Sequence, residues 1–116
     1  MGNRYQRLVT GARAHVTEIS PADAAAQRQA LIIDVREKEE WDAGHIPDAQ
    51  HLSRGTLEVE IEALAPDLAM PIILHCGAGG RSALAAESLQ KMGYTNVKSM
   101  AGGLTAWKAA GLPTER

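Results

Sequence analysis

A chain of 116 residues, 45% of them apolar, fits one domain with a core of its own. Twelve Lys and Arg against fourteen Asp and Glu leave a net charge of −2, so no global basic field is present to hold nucleic acid or an anionic membrane surface. The single cysteine excludes an internal disulfide and a cysteine-rich zinc site, and leaves either an inert buried thiol or a reactive one.

Residues 1–17 hold Arg4, Arg7 and Arg13 and no acid. They read as a helical extension over 1–15 with Tyr5, Leu8 and Val9 packed on the domain, and bear a faint likeness to a mitochondrial presequence. Met1-Gly2 opens like a myristoylation signal, but Gln6 stands where Ser or Thr is required. No apolar run approaches the roughly 18 residues that span a bilayer, and no secretory h-region is present. The expected location is the reducing cytoplasm, which suits a free thiol.

Val16–Ile19 alternates as a short edge strand does. Ser20-Pro21 gives an N-cap and a proline at the first helical position, opening a helix to about Arg28. Leu31–Val35 is an apolar run broken by one acid, as in a strand buried on both faces. Glu37–Asp42 reads as a charged turn or short helix, Gly44–Ala49 as a turn, and Ala49–Leu52 as another short strand. Thr56–Leu68 spaces Leu57, Ile61, Leu64 and Leu68 as a helix with an acidic, solvated face. Pro71–Cys76 is a second buried strand, Gly77–Gly80 a glycine loop, and Arg81–Met92 a helix stopped by Gly93. Asn96–Met100 is a last strand, and Leu104–Ala110 a last helix ended by Gly111. Alternating strands and helices predict an α/β fold with helices on both faces of a parallel sheet. Ligands of such sheets bind beyond the carboxyl ends of the strands, where Cys76 falls.

The run Cys76-Gly77-Ala78-Gly79-Gly80-Arg81-Ser82 is built for anions. Glycines leave amide N–H groups uncovered, and successive N–H groups curl into an anion-binding nest. The following helix adds its positive end, and Arg81 a fixed charge. A thiol facing this array is favoured as the thiolate, and the same array stabilises a negative adduct on sulfur. Nucleophilic catalysis at Cys76 outweighs the bland alternative of a buried thiol ending a strand. The loop has neither the dinucleotide-binding glycine pattern nor the Gly-Lys-Ser/Thr of a nucleotide P-loop.

Three segments, in order, resemble those of single-domain rhodanese-like proteins, a sulfurtransferase family. Leu31–Glu37 with Glu40-Trp41 and Gly44–Ala49 resembles the N-terminal signature. Cys76-x-x-Gly79-x-Arg81-Ser82 resembles the active-site loop. Gly102–Trp107 with Gly111-Leu112-Pro113 resembles the C-terminal signature. The resemblance covers about residues 16–116 and implies a three-layer α/β/α rhodanese-like domain with a five-stranded parallel sheet. It also implies a reaction: Cys76 takes a sulfane sulfur from thiosulfate or a persulfide donor and passes it to cyanide, an acceptor thiol or a protein sulfur acceptor. In this scheme Gly77, Ala78, Gly79, Gly80, Arg81 and Ser82 bind the persulfide, and no metal or organic cofactor takes part.

Asp34 and Arg36 share one side of their strand. Either they orient the active loop, or Arg36 pairs with Glu40 or a nearby acid and pins the Trp41 segment. Arg54 adds charge at the mouth of the site or is a solvated arginine. His75 and Cys76 are neighbours on a strand and point to opposite faces, which argues against a dyad. His45 holds a turn, Trp41 and Trp107 anchor packing, and the four histidines have no metal-ligand spacing. Thiosulfate-preferring members of the family often carry cations between the cysteine and the arginine. None stands there in this chain, so a persulfide donor is an alternative to thiosulfate. Two other functions compete. A cysteine phosphatase or arsenate reductase needs five residues between Cys and Arg, and this chain has four. A non-enzymatic relay or binding module is the other.

Overall fold

The computed structural model describes residues 2–116; Met1, the first residue of the expected extension, lies outside the described residues. The elements are α1 (Arg4–Arg13), β1 (Thr17–Ile19), α2 (Pro21–Ala26), β2 (Leu31–Asp34), α3 (Lys38–Ala43), β3 (Gln50–His51), α4 (Leu57–Leu64), β4 (Ile72–His75), α5 (Gly80–Lys91), β5 (Val97–Met100) and α6 (Gly103–Ala109). The five strands form one parallel sheet in the order β1-β5-β4-β2-β3. Among the described residues, no helix is long and apolar enough to cross a membrane.

β4 lies at the centre of the sheet, and its residues are buried on both faces. Ile72, Leu74 and Cys76 point into a core completed by Ile33, Leu57, Ile61 and Leu89, under α4 and α5. Ile73 points the other way, into a core with Met100, Leu104 and Trp107, under α2 and α6. This alternation also puts His75 and its register partner Asp34 opposite Cys76.

Several ends follow from local chemistry. Ser20 accepts the Asp23 N–H and caps α2, which stops at Ala26, two residues short of the expected end. α4 ends at Leu64 rather than Leu68, because Pro66 forces Ala65 out of the helical region. Gly93, at φ +105°, follows α5. α1 differs more from expectation. It meets α5 through Val9, Ala12 and Ala83, a seam of small residues, and this leaves Leu8 64% exposed and Tyr5 47% exposed.

Candidate active site

Cys76 follows directly on β4 and is 1% exposed. The chain then turns through Gly77, Ala78 and Gly79 into α5. Gly79 has φ +103° and caps the helix. A side chain there would meet the Gly102 amide at 3.2 Å and the Arg13 guanidinium at 3.3 Å, so both its conformation and its surroundings call for glycine.

The sulfur sits where a capping oxygen would sit at a helix N-terminus. Cys76 Sγ accepts the N–H of Gly79 at 3.1 Å and that of Ser82 at 3.4 Å. The thiol donates to Ser82 Oγ at 3.6 Å. Amide donors at the positive end of a twelve-residue helix stabilise negative charge on this sulfur. The Gly80 and Arg81 amides, also in the first turn, donate to no protein acceptor among the described residues.

Ser82 is fully buried and exchanges a 2.8 Å hydrogen bond with the equally buried Ser99 of β5. Ser99 was not among the residues expected at the site. Its only sequence signal is a small polar residue near the end of an otherwise buried strand. The loop is clamped from the far side by α6. Leu104 N–H donates to Cys76 O at 2.8 Å, and Thr105 N–H to Gly77 O at 3.1 Å. Gly103, at φ +57°, lets α6 approach this closely.

Arg81 is not the free cation that the sequence suggests. It donates twice to Glu40, Nη1 to Oε1 at 2.7 Å and Nη2 to Oε2 at 3.1 Å. Hydrogen bonding to Arg81 pulls the Glu40 carboxyl down to about 2. The bond to Glu40 raises the Arg81 guanidinium in turn, with a smaller contribution from negative charge on Cys76. Arg81 therefore lies within the electrostatic reach of the sulfur, but its hydrogen-bonding fork is occupied.

Asp34 and Arg36 form a buried pair on the opposite side of the sheet from Cys76. Arg36 Nε and Nη2 donate to the Asp34 carboxylate at 3.0 and 2.9 Å, and Nη2 also donates to Gly44 O at 2.7 Å. Arg36 thus pairs with Asp34, not Glu40, and pins the end of the segment that carries Trp41. His75 lies beside this pair, its Nε2 3.6 Å from Asp34 Oδ2 and without a hydrogen bond among the described residues. Its Nδ1–H donates to the Cys76 carbonyl at 3.2 Å, so the ring serves the backbone and not the sulfur. Burial, against the opposing pull of Asp34, lowers the imidazole below its usual range.

Arg54 is not a free charge at the mouth. Glu58 accepts from it at 2.8 Å and Ser88 at 3.1 Å. His45 holds a turn. Its backbone pairs with Glu115, and its ring stacks on Trp41 with centroids 3.6 Å apart. Among the described residues, no cluster of three or more His, Cys, Asp and Glu is placed to hold a metal ion.

Residues 20–110 match the family model of the rhodanese-like domain. The thiosulfate sulfurtransferase GlpE of Pseudomonas fluorescens is 36% identical over 92 residues, which cover 78% of this chain and 83% of that protein. A Rhodopseudomonas palustris protein of unknown function, described as a possible tyrosine phosphatase, has a similar structure. Its TM-score is 0.89 at 29% identity, covering 99% of this chain and 96% of the other. The polysulfide-sulfur transferase homodimer of Wolinella succinogenes superposes with a TM-score of 0.82 at 30% identity, covering 96% and 86%.

Proposed function

This chain belongs to the rhodanese-like domain family, among sulfurtransferases, and from that premise we propose that it moves sulfane sulfur through a persulfide on Cys76. The observation that carries the proposal is the sulfur at the helix end, accepting the Gly79 and Ser82 amides. Cys76 thiolate attacks the sulfane sulfur of thiosulfate or of a persulfide. A sulfur–sulfur bond forms at Sγ while the donor's own breaks, and sulfite or a thiol leaves with the electron pair. Cyanide or an acceptor thiol then removes the outer sulfur and regenerates the thiolate.

The roles divide by position. Cys76 is the nucleophile. The loop Gly77–Ser82 holds the persulfide through its amides, among which the Gly80 and Arg81 N–H groups have no other acceptor among the described residues. Arg81 acts by locking the loop to Glu40. Asp34 and Arg36 position the segment behind the site, and Arg54 braces α4 against α5. Two half-reactions through a covalent adduct give ping-pong kinetics.

The structural relative described as a possible tyrosine phosphatase raises a second reading. Only four residues separate Cys76 from Arg81, and Glu40 occupies the arginine that would bind a phosphate. Sulfur transfer fits this site better.

Intact-mass measurement after exposure to thiosulfate or an organic persulfide tests the proposal. The wild type gains the mass of one sulfur atom, Cys76→Ser gains none, and cyanide or a thiol discharges the adduct. A wild type that gains no sulfur, or a Cys76→Ser protein that still transfers it, overturns the reading. Loading that a protein acceptor discharges but cyanide and small thiols do not would identify a relay, and hydrolysis of an aryl phosphate a phosphatase.

A further inference from the structure

A cavity of about 690 Å³ lies between α1 and the active-site loop. Its walls include Tyr5, Arg7, Thr10 and Arg13 from the helix and Ala78 and Gly80 from the loop. α1 precedes the residues matched by the family model, which begin at residue 20.

This wall is fixed in place. Asn3 and Gln6 form a reciprocal capping box that starts the helix. Val9 and Ala12 are buried against Ala83 of α5. Gly80 has no side chain, and the Tyr5 hydroxyl occupies the place where one would stand. Arg13 donates from Nε to Glu18 at 3.2 Å, while its Nη2 reaches to 3.3 Å from the Cβ position of Gly79. Gly79 is the residue whose amide donates to Cys76 Sγ. Arg7 is exposed and makes no ion pair among the described residues, and α1 contains no acid.

The charge arrangement gives this cavity its meaning. The loop's own cation, Arg81, is neutralised by Glu40. Positive charge offered to a ligand beside the loop therefore comes from α1, chiefly from Arg7, which has no acidic partner among the described residues, with the Nη groups of Arg13, whose Nε is held by Glu18, as further donors. The volume is far more than a sulfur oxyanion of a few atoms requires, and lies in the range of sites for small organic ligands. Guanidinium groups beside a tyrosine and a threonine suit carboxylates on a peptide-sized molecule.

Building on the Cys76 persulfide reading, we infer that α1 is a binding site for the carrier of the incoming sulfur, a small thiol persulfide bearing carboxylates, recognised by Arg7 and Arg13. The carrier lies against α1 with its persulfide directed at the loop. Cys76 thiolate bonds to the outer sulfur, and the carrier's sulfur–sulfur bond breaks. The carrier leaves as a thiolate that takes up the proton of the persulfide. The sulfane sulfur changes partner with no net oxidation or reduction, so no further reagent is required.

The test compares two persulfide probes on the intact chain. Glutathione persulfide carries two carboxylates and cysteamine persulfide none. Rates of Cys76 loading are read by mass for the wild type, Arg7→Gln, Arg7→Gln/Arg13→Gln and Arg7→Lys. The preference for glutathione persulfide over cysteamine persulfide falls about tenfold in the double variant, as expected for loss of charge-assisted contacts worth about 1.4 kcal/mol together. Arg7→Gln, which disturbs no ion pair, lowers the preference in the same direction, and Arg7→Lys restores part of it. An unchanged preference, or an equal slowing with both probes, overturns the inference while leaving the Cys76 reading intact. A wild type that loads from neither probe overturns the inference, and one that thiosulfate also fails to load overturns the Cys76 reading with it.

Discussion

Gly103→Ala measures how much of the active-site loop's placement depends on α6. A Cβ built at Gly103 lies 2.5 Å from Cys76 O and 2.6 Å from the carbonyl carbon of Gly77. Real Cβ contacts essentially never fall below 3.0 Å, so the loop or the helix must retreat by about half an ångström. That retreat strains the Leu104 and Thr105 amide bonds to the loop, each worth about 1 kcal/mol. Alanine at φ +57° costs about 1–2 kcal/mol more. The expected destabilisation is about 3 kcal/mol in urea unfolding, or about 10 °C in Tm for a chain of this length. In the proposed cycle sulfur loading of Cys76 slows, because the displaced carbonyls belong to Cys76 and its neighbour. Gly111→Ala is the matched control. Gly111 has φ +78° but no atom within 4 Å of its Cβ position, so only the backbone cost of about 1 kcal/mol applies and loading is unchanged. If Gly103→Ala behaves like Gly111→Ala in both assays, α6 does not clamp the loop.

Three further outcomes are expected. Arg36→Leu leaves the Asp34 carboxylate buried without its partner and destabilises the fold by about 3–5 kcal/mol in urea unfolding. Glu40 is depressed to about 2 in the folded chain, so its stabilising effect is complete above its ordinary value of 4.5 and is lost as pH falls toward 2. Unfolding of the wild type and Glu40→Gln across that window should differ in slope. The pair is about one-third exposed, and screening limits the effect to about 1 kcal/mol. The His75 imidazole, lowered by burial, titrates below 6.5 by NMR. The unfolded chain then takes up this proton first, so stability falls as pH drops below 6.5.

The order and type of the elements were legible because they rest on local signals. The strand around Ile33 and that around Ile73 are apolar on both faces, Ser20-Pro21 marks a helix start, and Gly93 a helix end. The position of Cys76 at the end of a buried strand followed from the same signals. Pairings across the chain were not legible in this way. Arg81 meets Glu40 across 41 positions, so it read as free charge until the fold joined it to a partner, whereas the acid that pairs with Arg54, Glu58, is only four positions away and its contact with Ser88 is the distant one. Ser99 stayed hidden for the same reason, since its value lies in a hydroxyl contact between a strand and a helix. α1 shows a different limit. Its apolar residues suggested a broad packing face, but the seam onto α5 admits only Val9 and Ala12, and Tyr5 turns toward the loop.

The pairings decide what kind of field the sulfur experiences. Arg81 is matched by Glu40, Arg36 by Asp34 and Arg54 by Glu58, so none of the three arginines near the sheet's carboxyl end is an uncompensated charge. What stabilises an anion on Cys76 is then mainly a set of oriented amides, whose dipoles are fixed by the fold and act over a short distance. Such a field stabilises a thiolate or a persulfide already in the loop, but attracts a charged donor from solution only weakly. Attraction at longer range needs net charge, and on this side of the molecule α1 supplies it through Arg7, since Arg13 is matched by Glu18. In the proposed cycle the two tasks are separate: the loop stabilises the bound sulfur and the helix selects what brings it. Salt should therefore slow loading by anionic donors, because exposed arginines are screened over about 10 Å at 0.1 M. It should leave discharge of the formed persulfide by a neutral thiol nearly untouched, because the buried amide contacts are not screened in this way.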